Sequence, residues 1–426
     1  MNIFNKISQF PLYIQIVFAL ILAVILGIIL GAGNPIIDPS LIEHLALPCT
    51  LILKALRTLA TPLIFLAIIH TFLTAEIPSQ SGKKLAVLLI TNTLVAIIIG
   101  LLVANILQPG SHGTLELGID TKPSEKTLDP WGLLQDLIPD SIVKPLVDNN
   151  VIQLIIVALS FAIVLRGLKT KFIEENNTDY FPIEKLITVL FEAVIIIVHW
   201  VIKLVPFAVF GIVSQTIALK GFAPFKSLGF FVIAVIIALI LQAMYYLTRV
   251  YFGSWVHPID LLKKGSDALI TAFSTASSTA TMPITFKVLI EKIGLRESSA
   301  SLGALVGSNF NNDGTALYEA MSALFISQIL NQQLTLTQQI MVMLTSIIAS
   351  VGAAGIPEAG LVTMTLVFTS VGLPTEYIAI LVTVDWFLDR CRTAINVMGD
   401  MTVSALVDGK TRKAKLEEAF IETEIT

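Results

Sequence analysis

Three stretches of this chain, residues 11–33, 85–107 and 228–248, each run past twenty positions without a charged side chain. Coiled as helices they rise ~1.5 Å per residue, enough to cross ~30 Å of hydrocarbon. Such segments have no place on the surface of a soluble fold. Composition agrees, since 55% of the 426 residues are hydrophobic and only 14% are charged, against about 25% charged in soluble domains. The first stretch is too long for a removable signal peptide and lacks a small-residue cleavage site. A net charge of −4 leaves no role for a nucleic-acid partner. Cys49 and Cys391 give neither a disulfide framework nor a metal-ligand spacing, and the five histidines carry no motif.

Basic residues gather in particular connections: Lys6, "GKK" at 82–84, "RGLKTK" at 166–171, "LLKKG" at 261–265 and "GKTRKAK" at 409–415. The segment 109–150 instead carries seven acidic residues against three lysines. The positive-inside rule places the basic connections in the cytoplasm and that segment outside. Both termini then lie inside, and eight crossings are expected, at 11–33, 46–74, 83–108, 150–168, 183–217, 225–253, 297–329 and 376–408.

Two further apolar segments do not fit that count. Residues 266–290 are interrupted by "STASSTAT" (274–281), and residues 338–372 by "SVGAAGIPEAG" (350–360). Full crossings there would put basic clusters on the wrong side, so re-entrant hairpins are expected. Non-helical backbone at membrane depth survives only when buried in protein or lining a cavity. The plainer alternative is a Ser/Thr kink and an ordinary outer turn. Each hairpin precedes a polar helix, "NFNNDGT" in one case and "DRCRTAINVMGD" in the other, and they enter from opposite sides. Inverted, interrupted pairs of this kind point to a transporter's midplane site.

At 100° per residue, Asp389, Arg392, Thr393, Asn396 and Asp400 share one helix face, with Asp385 beside them and Arg390 off it. A solvated helix end would scatter its charges. Here the remaining positions are apolar, which places the stripe inside a bundle, where each unpaired charge costs at least ~2.5 kcal/mol. Three stripe aspartates and Asp313 outnumber the single arginine, so the excess carboxylates would protonate or recruit cations. Arg392 can grip a carboxylate through two nitrogens, while Asp389 can hold an ammonium group. The residues read as a carrier of a small anionic zwitterion, driven by cations. An intramembrane aspartyl protease would need a Gly-x-Gly-Asp motif, and "VMGD" lacks the first glycine. A selective channel is the third possibility, separable by saturation and accumulation against a gradient.

Four motifs carry a resemblance. "TAFSTASSTATMPITFKV" (271–288), "NFNNDGTALYEAMSALFISQ" (309–328), "SVGAAGIPEAGLVTMTLVFTSVGLPTE" (350–376) and "VDWFLDRCRTAINVMGD" (384–400) resemble the glutamate/aspartate transporters. These are the dicarboxylate/amino acid:cation symporters, and the match leans toward the excitatory amino-acid transporters of animals. The resemblance implies an all-α membrane fold of eight helices and two re-entrant hairpins, a homotrimer and an elevator mechanism. Scaffold helices would span 1–82 and 109–217, and a transport domain 83–108 and 218–426.

Substrate would be L-glutamate or L-aspartate, with no enzymatic cofactor, Na⁺ as coupling ion, H⁺ as a second candidate, and a cell (inner) membrane as location. A C4-dicarboxylate or neutral amino-acid carrier is the alternative within the family. By the resemblance, Arg392 binds the substrate side-chain carboxylate, Asp389 accepts the amino group, and Thr393, Asn396 and Thr315 are polar neighbours. Ser277, Ser278, Ile356 and Gly360 fall where hairpin backbone meets substrate. Sodium sites would map to Gly307, Asn311, Asn396 and Asp400; to Asn92, Thr93, Asn311 and Asp313; and to backbone at Asn309, Ser350, Val351 and Ala353. Glu319 matches a glutamate associated with proton carriage. Arg390 resembles the extra arginine of animal members, which archaeal relatives place at the hairpin position held here by Ala276. Three positions depart from the pattern: Asn312 replaces a methionine, Asn309 a threonine and Leu89 a tyrosine. Asn312 would offer an amide oxygen, so the number of coupled sodium ions is left open.

Overall fold

In the computed structural model, residues 10, 12–31, 42, 44–74, 79–112, 138–148, 151–352 and 359–411 are described, and among them there is no strand. Apolar sequence with few breakers makes long helices: α1 (Leu12–Leu30), α2 (Leu47–Thr74), α3 (Ser79–Leu107), α4 (Val151–Glu174), α5 (Phe181–Ile202), α6 (Val205–Lys220) and α7 (Ala223–Gly253). The stretch expected as one crossing at 183–217 is two helices. They part at Lys203–Leu204, just before Pro206, which has no N–H with which to continue the first.

The first interrupted segment becomes α8 (Pro258–Thr275) and α9 (Ser278–Val288), which pack on each other. Their joint is Ala276, in left-handed backbone at φ 52°. Ser277 then starts α9, its Oγ accepting the Ala280 N–H at 3.1 Å, the usual use of serine at a helix start. After a π-helical turn (Leu289–Ile293) comes a run, residues 297–310, that is helical but widened into a π-turn over Leu302–Val306. It was expected to continue unbroken to 329. Instead the backbone leaves the helix at Asn311 and Asn312 and resumes in α10 (Asp313–Ile329), which is buried over nearly its whole length. The second interrupted segment is α11 (Leu336–Gly352) packed on α12 (Ala359–Ser370), and α13 (Ile378–Asp408) carries the polar stripe.

Packing sorts the helices into two sets. In one, α2 lies against α4, α5 and α6, and α6 against α1; in the other, α13 packs on α7, α8 and α10, and α3 on α7 and α10. Between the sets, α2 meets α11 and α12, and α6 meets α13. The far end of α13 is tied down: Asp408 accepts from Trp255 Nε1 at 2.6 Å and Arg296 Nε at 2.9 Å. Lys84 of α3 adds a bond to the Leu406 carbonyl at 2.9 Å.

Among the described residues, four helical stretches are long and apolar enough by themselves to cross a membrane, at Leu47–Thr74, Lys83–His112, Phe181–Lys220 and Phe225–Gly253. α13 is excluded by its charges and not by its length, since its 31 residues rise ~46 Å.

Candidate functional site

The stripe of α13 faces inward. Asp385, Asp389, Arg392, Thr393, Asn396 and Asp400 are all buried, and Arg392 has no exposed surface. Arg392 Nη2 donates to Asp389 Oδ1 at 2.8 Å and lies 3.0 Å from Asp385 Oδ1. Its Cζ sits 4.0 Å over the centre of the Tyr318 ring, a placement that favours a cation. The other side of the guanidinium faces α12, where a Cβ built on Gly360 would stand 3.1 Å from Nη1. Nη1 and Nε make no hydrogen bond among the described residues. A desolvated guanidinium with two donors still open can take a carboxylate from outside. Glu319, one position on from Tyr318 and wholly buried, accepts from Thr363 Oγ1 through Oε1, and its Oε2 has no partner among the described residues. One fixed cation therefore shares this region with the carboxyls of Asp385, Asp389 and Glu319.

The polar neighbours sit a turn deeper. Asn396 Oδ1 accepts the Gly314 N–H at 2.8 Å, capping the start of α10 from another helix, and its Nδ2 reaches Thr315 Oγ1 at 3.4 Å. Thr393 Oγ1 bonds within its own helix to the Asp389 carbonyl. Ser278 Oγ donates to the Ser308 carbonyl at 3.1 Å, docking the first hairpin on the 297–310 run. Arg390, off the stripe, reaches the same hairpin through the carbonyls of Phe273 at 2.9 Å and Ser274 at 2.5 Å. Ile356 and Ala353 lie outside the described residues. Val351 is described only as part of α11.

The three expected sodium sets differ in what holds them. Gly307, Asn311, Asn396 and Asp400 are together: Asn311 Nδ2 is 3.2 Å from both the Asn396 carbonyl and Asp400 Oδ1, and a Cβ on Gly307 would meet Asp400 Oδ1 at 2.5 Å. Asn311 Oδ1 is buried without a partner among the described residues. That is a hard-oxygen environment suited to a cation.

The other two sets are arranged differently. Asn309 and Ser350 do converge, but on the amide of Asn312, whose Nδ2 donates to the Ser350 carbonyl at 2.8 Å and the Asn309 carbonyl at 3.3 Å. Asn312 was expected to contribute an oxygen; two carbonyls facing its amide turn the NH₂ toward them instead. In the set built on Asn92, Thr93, Asn311 and Asp313, Asn92 Oδ1 is taken by Arg249 Nη1. Thr93 Oγ1 donates to Asp313 Oδ1 at 2.6 Å, and Tyr246 OH to Asp313 Oδ2. Leu89 lends its backbone carbonyl to Thr93 Oγ1 at 3.1 Å. Among the described residues, no group of three or more His, Cys, Asp or Glu side chains could hold a metal.

Tyr246, Arg249, Tyr318 and Thr363 escaped the sequence reading. Arg249 carried a signal, being the one charge within the apolar run 228–253, where intramembrane charge is functional by default. The two tyrosines and the threonine are unremarkable residues on apolar helices.

With this geometry in place, comparison with known proteins assigns the class. Residues 12–410 match the sodium:dicarboxylate symporter family. The chain is 31% identical over 455 residues to excitatory amino acid transporter 4 of Mus musculus, covering 89% of this chain and 80% of that one. To excitatory amino acid transporter 2 of Homo sapiens it is 30% identical over 456 residues, covering 95% and 79%. Excitatory amino acid transporter 5 of Homo sapiens is 46% identical over a shorter stretch of 189 residues, 44% of this chain and 34% of that one. The chain belongs to the sodium:dicarboxylate symporter family and is a multi-pass membrane protein.

Proposed function

We propose that this protein is a secondary active symporter that takes up L-aspartate or L-glutamate with Na⁺. The supporting observation is Arg392: a guanidinium with no exposed surface, anchored by Asp389 and Asp385, with two donors open toward α12. The side-chain carboxylate of the substrate would bind there. Its ammonium group would face Asp389, and Thr315, Thr393, Asn396 and the hairpin ends at Ser277, Ser278, Ile356 and Gly360 would orient the rest. Na⁺ would sit at Gly307, Asn311, Asn396 and Asp400. Glu319 would carry a proton, since its carboxyl lies beside the substrate region and, among the described residues, a threonine hydroxyl bonds Oε1 while Oε2 is unpartnered.

In this reading α3 and residues 218–426 form a mobile transport domain that slides against α1, α2 and α4–α6 as an elevator, within a homotrimer in the cell membrane, both termini cytoplasmic. The packing of α2 on the second hairpin and of α6 on α13 supplies a sliding seam. Purified protein in liposomes should accumulate labelled L-aspartate or L-glutamate under an inward Na⁺ gradient; failure with both, with and without a proton gradient, sinks the reading. A C4-dicarboxylate carrier is the second reading, favoured by the family's name. Asp389 opposes it, because a diacid without an ammonium group would leave that carboxylate facing like charge. Competition of uptake by succinate separates the two.

A further inference from the structure

The pocket around Asp313 contains a cation that belongs to the chain. Asp313 has no exposed surface and lies at the break between the 297–310 run and α10. Both of its oxygens accept hydrogen bonds, from Thr93 Oγ1 and from Tyr246 OH. Hydroxyls satisfy the lone pairs but leave the charge in place, and a lone buried carboxylate costs several kcal/mol. Arg249 supplies the positive charge. It stands one turn beyond Tyr245 on α7, its guanidinium 5.5 Å from the centre of the Tyr245 ring and bonded to Tyr245 OH at 3.3 Å. From there Nη1 donates to Asn92 Oδ1, and Asn92 adjoins Thr93, whose hydroxyl bonds Asp313.

A sodium ion at this place would need converging lone pairs. Three of the side-chain oxygens of the expected set face a proton donor instead: Asn92 Oδ1 faces Arg249, and the two Asp313 oxygens face Thr93 and Tyr246, while Asn311 Oδ1, on the side toward Asp400, is left open among the described residues. Leu89 adds no side-chain oxygen. The contrast with Asp400 is direct. Its neighbours are Asn311 and Gly307, Asn311 Oδ1 is open, and no cationic side chain pairs with it among the described residues.

We propose that Arg249 is a tethered cation that takes the place of one transported Na⁺ in the pocket formed by Asn92, Thr93, Tyr246 and Asp313, so that each cycle carries one sodium ion fewer than the residue set would otherwise take. This rests on the reading of the protein as a Na⁺-coupled carrier. A guanidinium fixed to α7 would keep its charge at the pocket in every state of the cycle, loaded or empty. An ion does so only while bound.

Arg249→Gln removes the charge and keeps a polar side chain. In proteoliposomes, the Na⁺:substrate ratio read from reversal potentials should rise by one relative to the unmodified protein, with a steeper Na⁺ dependence of L-aspartate or L-glutamate uptake. Arg249→Lys, which keeps a positive charge, should retain the original ratio. Thermal unfolding in detergent provides a readout that needs no transport. Arg249→Gln should unfold at a lower temperature in choline chloride and gain more stability than the unmodified protein when Na⁺ replaces choline, because an additional ion that binds only the folded state stabilises it. An unchanged ratio in Arg249→Gln, a raised ratio in Arg249→Lys, or an Arg249→Gln protein that gains no more stability from Na⁺ than the unmodified protein would each overturn the assignment. Absence of any coupled uptake by the unmodified protein would strike the symporter reading instead, and the stability comparison would still decide whether Na⁺ replaces the guanidinium.

Discussion

Arg392 and Asp389 stand three residues apart on α13 and are joined Nη2 to Oδ1 at 2.8 Å, with the arginine wholly buried. The pair is oriented before any substrate arrives: one member is ready for an anionic group and the other for a cationic one. Truncating one partner of a buried, hydrogen-bonded charge pair costs ~2–5 kcal/mol, or about 30-fold to a few thousand-fold in affinity. Arg392→Ala should therefore lose acidic amino-acid binding by at least the lower figure, while Asp389 continues to hold an ammonium group. Titration of the variant with L-aspartate, and then with L-alanine or L-serine, tests both halves. Undiminished aspartate binding would remove Arg392 from the site.

Gly360 of α12 lies against that guanidinium. A methyl group there would lie 3.1 Å from Nη1 and 3.4 Å from Cζ, so the arginine has to yield by a few tenths of an ångström. Gly360→Ala should weaken acidic-substrate binding about three- to tenfold, on the order of 1 kcal/mol of misplacement. Isothermal titration at saturating Na⁺ reads this directly; an unaltered Kd would mean that α12 stands away from Arg392 when substrate is bound.

Asn312 occupies the carbonyls of Asn309 and Ser350. A cation entering there has to displace two hydrogen bonds, each worth ~1 kcal/mol net. Asn312→Met frees both carbonyls and should lower the half-saturating Na⁺ concentration for uptake by about 10- to 30-fold. A variant with the original Na⁺ dependence would show that the amide does not compete with the ion.

Glu319 offers the one carboxyl on buried α10 beyond its first turn. Glu319→Gln keeps the shape and the hydrogen bond from Thr363 but cannot release a proton. Substrate-driven alkalinisation, followed with a pH dye outside the vesicles, should vanish in the variant while exchange of internal for external substrate persists. Proton movement at the original rate would put the carrier elsewhere.

The broad architecture was legible because it follows from simple patterns. The crossings expected at 46–74, 83–108 and 225–253 match α2, α3 and α7 within four residues at each end, and the Ser/Thr-rich interruption at 274–281 contains the turn at Ala276–Ser277. The α5–α6 break was missed although Pro206 announced it. The Asn311–Asn312 break was missed because asparagines inside a polar motif read as ligands before they read as interruptions. Within the site, the stripe on α13 was visible because helical periodicity puts its charges on one face. The groups around it were not: Tyr318 over Arg392, Thr363 on Glu319 and Tyr246 on Asp313 sit on other helices, and only packing brings them near. Arg249 went unread, a single charge near the end of α7 whose length carries its guanidinium back to Asn92.

The hydrogen-bonded hold of Arg390 on Phe273 and Ser274 of the first hairpin runs through their main-chain carbonyls. Side chains at those two positions can therefore drift without loosening it. Spacing cannot. One residue inserted between Lys264 and Phe273 would rotate both carbonyls by ~100° about the α8 axis, away from the guanidinium. Natural variants of this chain should thus tolerate exchange of residue types along that stretch while keeping its length fixed.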